Sequence, residues 1–213
     1  MCNMMRVHFL KYCRYASIRL ALILITCISI WTLTFAIWER PSDDESLIIF
    51  SSVNLVDKIE LESALLDATS SEGIEKVVWD FQTSNQPFFS FIVQTKASEK
   101  ADILILDEIA LSIYQNNGEC LIWDSKMKTH WFGADEDKIL FIESIYGTQG
   151  FRVANADNED EVIFSFVNLL AEVPDKLYLL INAKSIHFGF EEDLSTTEAG
   201  WIALHLLLNG DVE

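Results

Sequence analysis

Five short apolar runs, at residues 47–50, 76–79, 103–106, 139–142 and 177–181, punctuate the chain. Runs of four or five residues are too short for buried helices and fit strands covered on both faces. The stretches between the first three runs have helical spacing. In 54–68, Leu55, Val56, Ile59 and Leu66 share a face and Asn54 is placed to cap the first turn. Pro87 suits a first helical position, with Phe88, Phe91, Ile92 and Thr95 following. Asp107 is placed to cap a third helix in which Ile109 and Ile113 stack, and Asn117-Gly118 offers its stop. A βαβαβα order predicts an α/β fold with a mostly parallel sheet covered by helices. Further on, Val162, Phe166, Leu169, Leu170 and Val173 favour a helix over 160–173, ahead of Pro174, although Val162, Phe164 and Phe166 also alternate like a strand. Ser195-Thr196-Thr197-Glu198 has capping-box spacing before Trp201, Leu204 and Leu208, and Asn209-Gly210 ends this last helix.

A different pattern occupies the first forty residues. Residues 20–38 carry no charge, and Arg6, Lys11, Arg14 and Arg19 precede them with no Asp or Glu. The length suits a transmembrane helix, and the basic flank keeps the N-terminus cytoplasmic. The apolar core is longer than a signal-peptide core, and Thr34-Phe35-Ala36 is a poor cleavage site, so an uncleaved anchor fits better than a cleaved signal. Leu24-Ile25-Thr26-Cys27 has the outline of a lipidation site, but the apolar run continues past Cys27 where a polar tether should begin. The expected organisation is a basic cytoplasmic segment (1–19), a signal-anchor helix (20–38), a short linker (39–46) and an extracellular α/β domain (47–213). The lipid bilayer is then a partner through residues 20–38.

Charge narrows the partners of the outer segment. From Glu39 onward eleven basic residues face thirty-three acidic ones, a formal −22. Such a field repels nucleic acid and anionic head groups and favours cationic or neutral partners. Cys120 is the one cysteine beyond the span, so the outer domain holds no internal disulfide, and burial is its ordinary fate. The sequence has no His-Glu-x-x-His, Gly-x-Ser-x-Gly, phosphate-binding glycine loop or Cys-x-x-Cys. His130, His187 and His205 stand apart from one another and from Cys120, which gives no short-spaced metal set. Asp157-Asn158-Glu159-Asp160-Glu161 begins like a calcium loop but has Val162 where glycine is needed and Asn168 where a bidentate Glu is needed; Asp135-Glu136-Asp137 is a second acidic cluster. No cofactor and no enzymatic activity are expected.

Two motifs suggest a family. Ala101-Asp102-Ile103-Leu104-Ile105-Leu106-Asp107 follows an amphipathic segment, and Leu177-Tyr178-Leu179-Leu180-Ile181-Asn182-Ala183-Lys184-Ser185 precedes the last helix. They resemble small membrane-anchored proteins of Gram-positive bacteria that look like reduced extracellular solute-binding proteins. The resemblance implies a reduced periplasmic-binding-protein-like fold and an extracellular site for a small solute. Sheet-edge loops and loop aromatics are the natural lining of such a site, which makes Asp107, Glu108, Trp123, Trp131, Asn182, Ser185 and His187 the candidate ligand-binding residues. Trp131 is followed by Phe132, and Phe188 and Phe190 flank Gly189. The competing expectation is an accessory or sensor interaction module of a membrane complex, for transport or sensing, without a ligand cleft.

Overall fold

A computed structural model describes residues 19–20, 22–31, 42–115, 119–155, 164–189 and 198–210. The chain divides into two compact units, Met1–Arg40 and Pro41–Glu213. In the first, residues 19–20 and 22–31 are helical, and Thr26 Oγ1 donates to the Leu22 carbonyl at 2.9 Å. No helix among the described residues is long and apolar enough to cross a membrane. The rest of the apolar stretch 20–38 lies outside the described residues.

The second unit is built on a six-stranded sheet: β1 (Ser46–Ser51), β2 (Lys76–Phe81), β3 (Ile103–Asp107), β4 (Phe141–Ser144), β5 (Gly147–Asn155) and β6 (Lys176–Ile181). Its order is β2-β1-β3-β6-β5-β4. Strands β2, β1 and β3 are mutually parallel, whereas β6, β5 and β4 are joined by antiparallel pairings. The fold is therefore α/β, but parallel pairing covers only one half of the sheet. The physical cause is the connection: β4 and β5 are a hairpin turning at Ile145-Tyr146, with no room for a crossover helix.

Alternation along the strands sends two sets of side chains to opposite faces. Leu47, Ile49, Val77, Trp79, Ile103, Ile105, Leu177, Leu179 and Ile181 pack on one face. They meet Leu61 and Leu65 of α1 (Lys58–Thr69) and the buried stripe of α6 (Ala199–Asn209), including Trp201, Leu204 and Leu208. Phe50, Leu104, Leu106 and Leu180 pack on the other face. There they meet Phe89 of α2 (Phe89–Ile92), Val93 and Ala97 of a π-helical turn (Val93–Ala97), and Ala110, Leu111 and Tyr114 of α4 (Glu108–Gln115). The short α3 (Ser98–Lys100) completes the π-helical run, and α5 (Ser125–Phe132) joins the first face through Met127.

Local chemistry sets the helix ends. Asp57, not Asn54, is the cap of α1, its carboxylate accepting from the Glu60 amide; the Asn54 side chain accepts from the adjacent Leu55 amide instead. Asp107 does cap α4, Oδ1 accepting from the Ala110 amide at 2.7 Å, a contact of about 1 kcal/mol. The helix expected over 160–173 is absent from its described part, where Ser165–Leu169 form a 3-10 turn and Leu170 bridges to Leu55. The alternative strand reading is not met in the described part either, since Phe164 and Phe166 belong to the start of that 3-10 turn and not to any strand. The last helix begins at Ala199 with Glu198 at the capping position, so it starts later than the motif at 195–198 suggests; residues 195–197 lie outside the described residues. Gly210 ends it with φ 79°.

Candidate functional site

In open α/β sheets, ligands bind outside the carboxyl ends of the strands, where the connections diverge to opposite faces. Here β1 lies between β2 and β3, the chain leaves β1 through α1 on one face, and it leaves β2 through α2 on the other. A crevice of about 570 Å³ opens at that point. Ser52, Val53 and Asn54 enter it from the end of β1, Phe81, Thr83, Ser84 and Asn85 from the end of β2, Asp107 from the end of β3, and Ala171 to Pro174 form the far wall.

Backbone bonds hold the crevice open. The Ser52 amide donates to the Ile105 carbonyl at 2.9 Å, extending the β1–β3 ladder by one residue. The Asp107 amide then donates to Ser52 Oγ at 2.7 Å. The Val56 amide donates to the Leu169 carbonyl at 2.8 Å and the Ala171 amide to the Asn54 carbonyl at 2.9 Å, which stitches the far wall to the loop after β1. On the β2 side, the Gln86 amide closes a turn on the Thr83 carbonyl at 3.1 Å. The side chains of Thr83, Ser84, Asn85 and Glu172 make no hydrogen bond among the described residues, so their polar atoms are available to a guest.

Of the seven residues expected to line a site, only Asp107 reaches this crevice. Glu108, next in sequence, has turned onto α4 and accepts from Lys176 Nζ at 2.9 Å. That carboxylate raises the lysine's pKa by hydrogen bond and charge.

Asn182, Ser185 and His187 lie at the opposite end of the sheet. The Asn182 amide nitrogen donates to the carbonyls of Ala97, Ser98 and Ala101 at 3.2, 3.3 and 2.7 Å, and its oxygen accepts from the Lys184 amide. It therefore caps the C-terminal end of the run from α2 to α3, whose last carbonyls lack helical partners. Ser185 Oγ donates to Asp102 Oδ1 at 2.6 Å and accepts from the His187 amide at 3.2 Å. Asp102 Oδ2 takes the Ile48 amide at 2.7 Å, while the Asp102 amide donates to the Ile48 carbonyl at 2.8 Å. His187 Nε2 lies 3.2 Å from the Ser46 carbonyl. Asp102 is 4% exposed, and burial pushes its carboxyl pKa up against the opposing pull of these hydrogen bonds. The group thus knits the amino end of β1 to β3 and the loop after β6.

Trp123 and Trp131 belong to an aromatic core. Trp123 meets Phe151 edge-on at 5.3 Å, Phe132 at 5.9 Å and Trp201 at 6.3 Å. Trp131 stacks on Trp201 at 5.4 Å and faces His205 at 6.1 Å, while Phe188 meets Trp201 edge-on at 4.9 Å. Phe190 lies outside the described residues. Cys120 is buried, its thiol pushed up to about 12 by desolvation.

Comparison with family models, with curated proteins and with solved structures returned no match.

Among the described residues no three His, Cys, Asp or Glu side chains are grouped to hold a metal ion. Asp135 of the first acidic cluster pairs with Lys138 at 2.6 Å, and residues 157–161 lie outside the described residues. The crevice residues Ser52, Thr83, Ser84 and Asn85 escaped sequence reasoning because small polar residues after strands look like ordinary turns. The signal available was position: each lies within a few residues after an apolar run that becomes a parallel strand.

Proposed function

We propose that this chain is a single-pass membrane-anchored protein whose outer α/β domain binds a small solute at the carboxyl ends of β1, β2 and β3. The crevice carries the reading: its size falls within the usual few hundred to about a thousand Å³ of small-molecule sites. Its lining mixes hydroxyls, amides and carboxylate with the apolar walls of Val53, Phe81 and Pro174. Binding rather than catalysis fits a lining in which no described side chain pairs a nucleophile with a base. The uncharged run at 20–38 and its basic flank support the anchor and the outward orientation of the domain.

A second reading, an interaction module in a membrane complex, is favoured by the β4–β5 hairpin. Ile145 and Tyr146 at its tip are 91% and 76% exposed. Of the tryptophans expected around a cleft, Trp123 is buried in the core and Trp131 packs against it.

Thermal unfolding of the full chain in detergent, followed by tryptophan fluorescence against sugars, amino acids, peptides and amines, separates the two. A saturable rise in midpoint that Ser84→Trp removes supports solute binding. No rise with any class rejects it and leaves the interaction module.

A further inference from the structure

The charge balance of the crevice points to the class of its occupant. None of its lining residues is Lys, Arg or His, whereas Asp107 and Glu172 bring two carboxylates. Nearby cations are already engaged elsewhere: Lys176 holds Glu108 at 2.9 Å and Lys96 holds Asp80 at 2.8 Å. Asp107 uses Oδ1 for the helix cap, and Oδ2 has no hydrogen-bond partner among the described residues. An anion entering this space would meet two carboxylates without an ion-pair partner among the described residues, while an ammonium group would supply that partner. Around that carboxylate stand Ser52, Asn54, Thr83, Ser84 and Asn85, which exchange hydrogen bonds with hydroxyl groups rather than with charge. Phe81 offers an aromatic wall to the carbon face of a ring or to the cation itself.

We infer that the crevice selects a small hydroxylated ammonium compound, of the size and chemistry of an amino sugar, with its cation on Asp107 Oδ2. This rests on the solute-binding reading and adds charge selectivity to it. The acidic field of the whole domain steers such a cation inward and repels its anionic analogue.

The test keeps shape constant and varies charge. Binding of glucosamine, glucose and glucuronate to the full chain in detergent is measured by titration calorimetry and thermal shift. Asp107→Asn is run in parallel, since Asn caps a helix nearly as well as Asp and the fold is retained. Glucosamine is expected to bind at least tenfold more tightly than glucose, and glucuronate not to bind. Asp107→Asn should remove the preference for glucosamine over glucose, and added salt should weaken glucosamine alone. Equal binding of glucose and glucosamine, or a preference that survives Asp107→Asn, overturns the charge selection and leaves the solute-binding reading standing. Failure of glucosamine to bind overturns the inference; the solute-binding reading falls as well only if the wider panel of compounds is also silent.

Discussion

Phe88 is held at φ 66°, in the left-handed region, and its side chain is 81% exposed. A residue other than Gly or Asn there costs about 1 kcal/mol or more, and an exposed ring returns little of it through packing. Phe88→Asn should therefore raise the urea midpoint, by the equivalent of a few tenths to about 1 kcal/mol. A drop of that size would mean that Phe88 packs where the structure leaves it in solvent. Asp102 presents the opposite situation, a fully used side chain in a buried place. Its folded-state pKa is raised by desolvation, so the folded protein binds the proton more readily than the unfolded chain. The contribution of this group to stability is thus full at pH below the unfolded value near 3.8 and is lost as pH rises through the raised folded value. Asp102→Asn keeps an acceptor for the Ile48 amide and replaces the acceptor of the Ser185 hydroxyl by an amide N–H, to which Ser185 Oγ can turn and accept, and should abolish that decline with little loss at neutral pH. Asp102→Ala strands both partners and should cost about 1–3 kcal/mol. Urea titrations of the three proteins from about pH 4 to pH 7 check both statements.

At the scale of elements, the two edges of the sheet are treated differently. The outer backbone groups of Trp79, in the middle of β2, are occupied by α1: Glu62 Oε1 accepts the Trp79 amide at 2.6 Å, and Lys58 Nζ donates to the Trp79 carbonyl at 2.8 Å. Lys58 and Glu62 also pair with each other at 3.5 Å, four residues apart on one helix face. One helical turn thus blocks the middle of an edge that would otherwise template strand addition. Glu62→Ala should cost about 1 kcal/mol and increase self-association, read by light scattering. An unchanged midpoint would mean that water replaces the carboxylate without loss. The parallel half of the sheet was readable in the chain because each strand is an unbroken apolar run followed by a helix-forming stretch. Strand β5 was not. It carries Gly147 and Gly150 among polar residues, and the reason is tertiary: a Cβ at Gly150 would lie 2.4 Å from the Leu179 carbonyl. Gly147 turns the hairpin at φ 120°. With β5 unread, β6 looked like another parallel strand rather than an antiparallel neighbour of β3.

Across the whole molecule, the formal −22 carried from Glu39 onward is a distributed self-repulsion that no single contact offsets. Screening should relieve it, so the thermal midpoint should rise as sodium chloride is increased from about 10 mM to 0.15 M. A fall would show that specific ion pairs such as Lys96–Asp80 outweigh the general field. The core that resists this repulsion is double-sided. Aliphatic strands meet α1 and α6 on one face, with the Trp123, Phe132, Phe151 and Trp201 cluster beyond them, and meet α2 and α4 on the other. Asn182 contributes at this scale too, since its three carbonyl partners belong to the helical segment preceding β3, more than eighty residues away.

The amino-acid sequence by itself determined the α/β class, the positions of β1, β2, β3 and β6, the cap at Asp107, the last helix and the acidic field, because these follow from local periodicity, capping chemistry and charge. It also placed Asp107 at a strand end, where a site of this fold belongs. Only the tertiary structure decided that β6 runs antiparallel beside β3, that Asn182, Ser185 and His187 lie at the opposite end of the strands from Asp107, and that Trp123 is core with Trp131 packed against it. Strand direction depends on where the chain re-enters the sheet, and a polar residue's role depends on which distant backbone groups need a partner. Neither is encoded in the residues next to it.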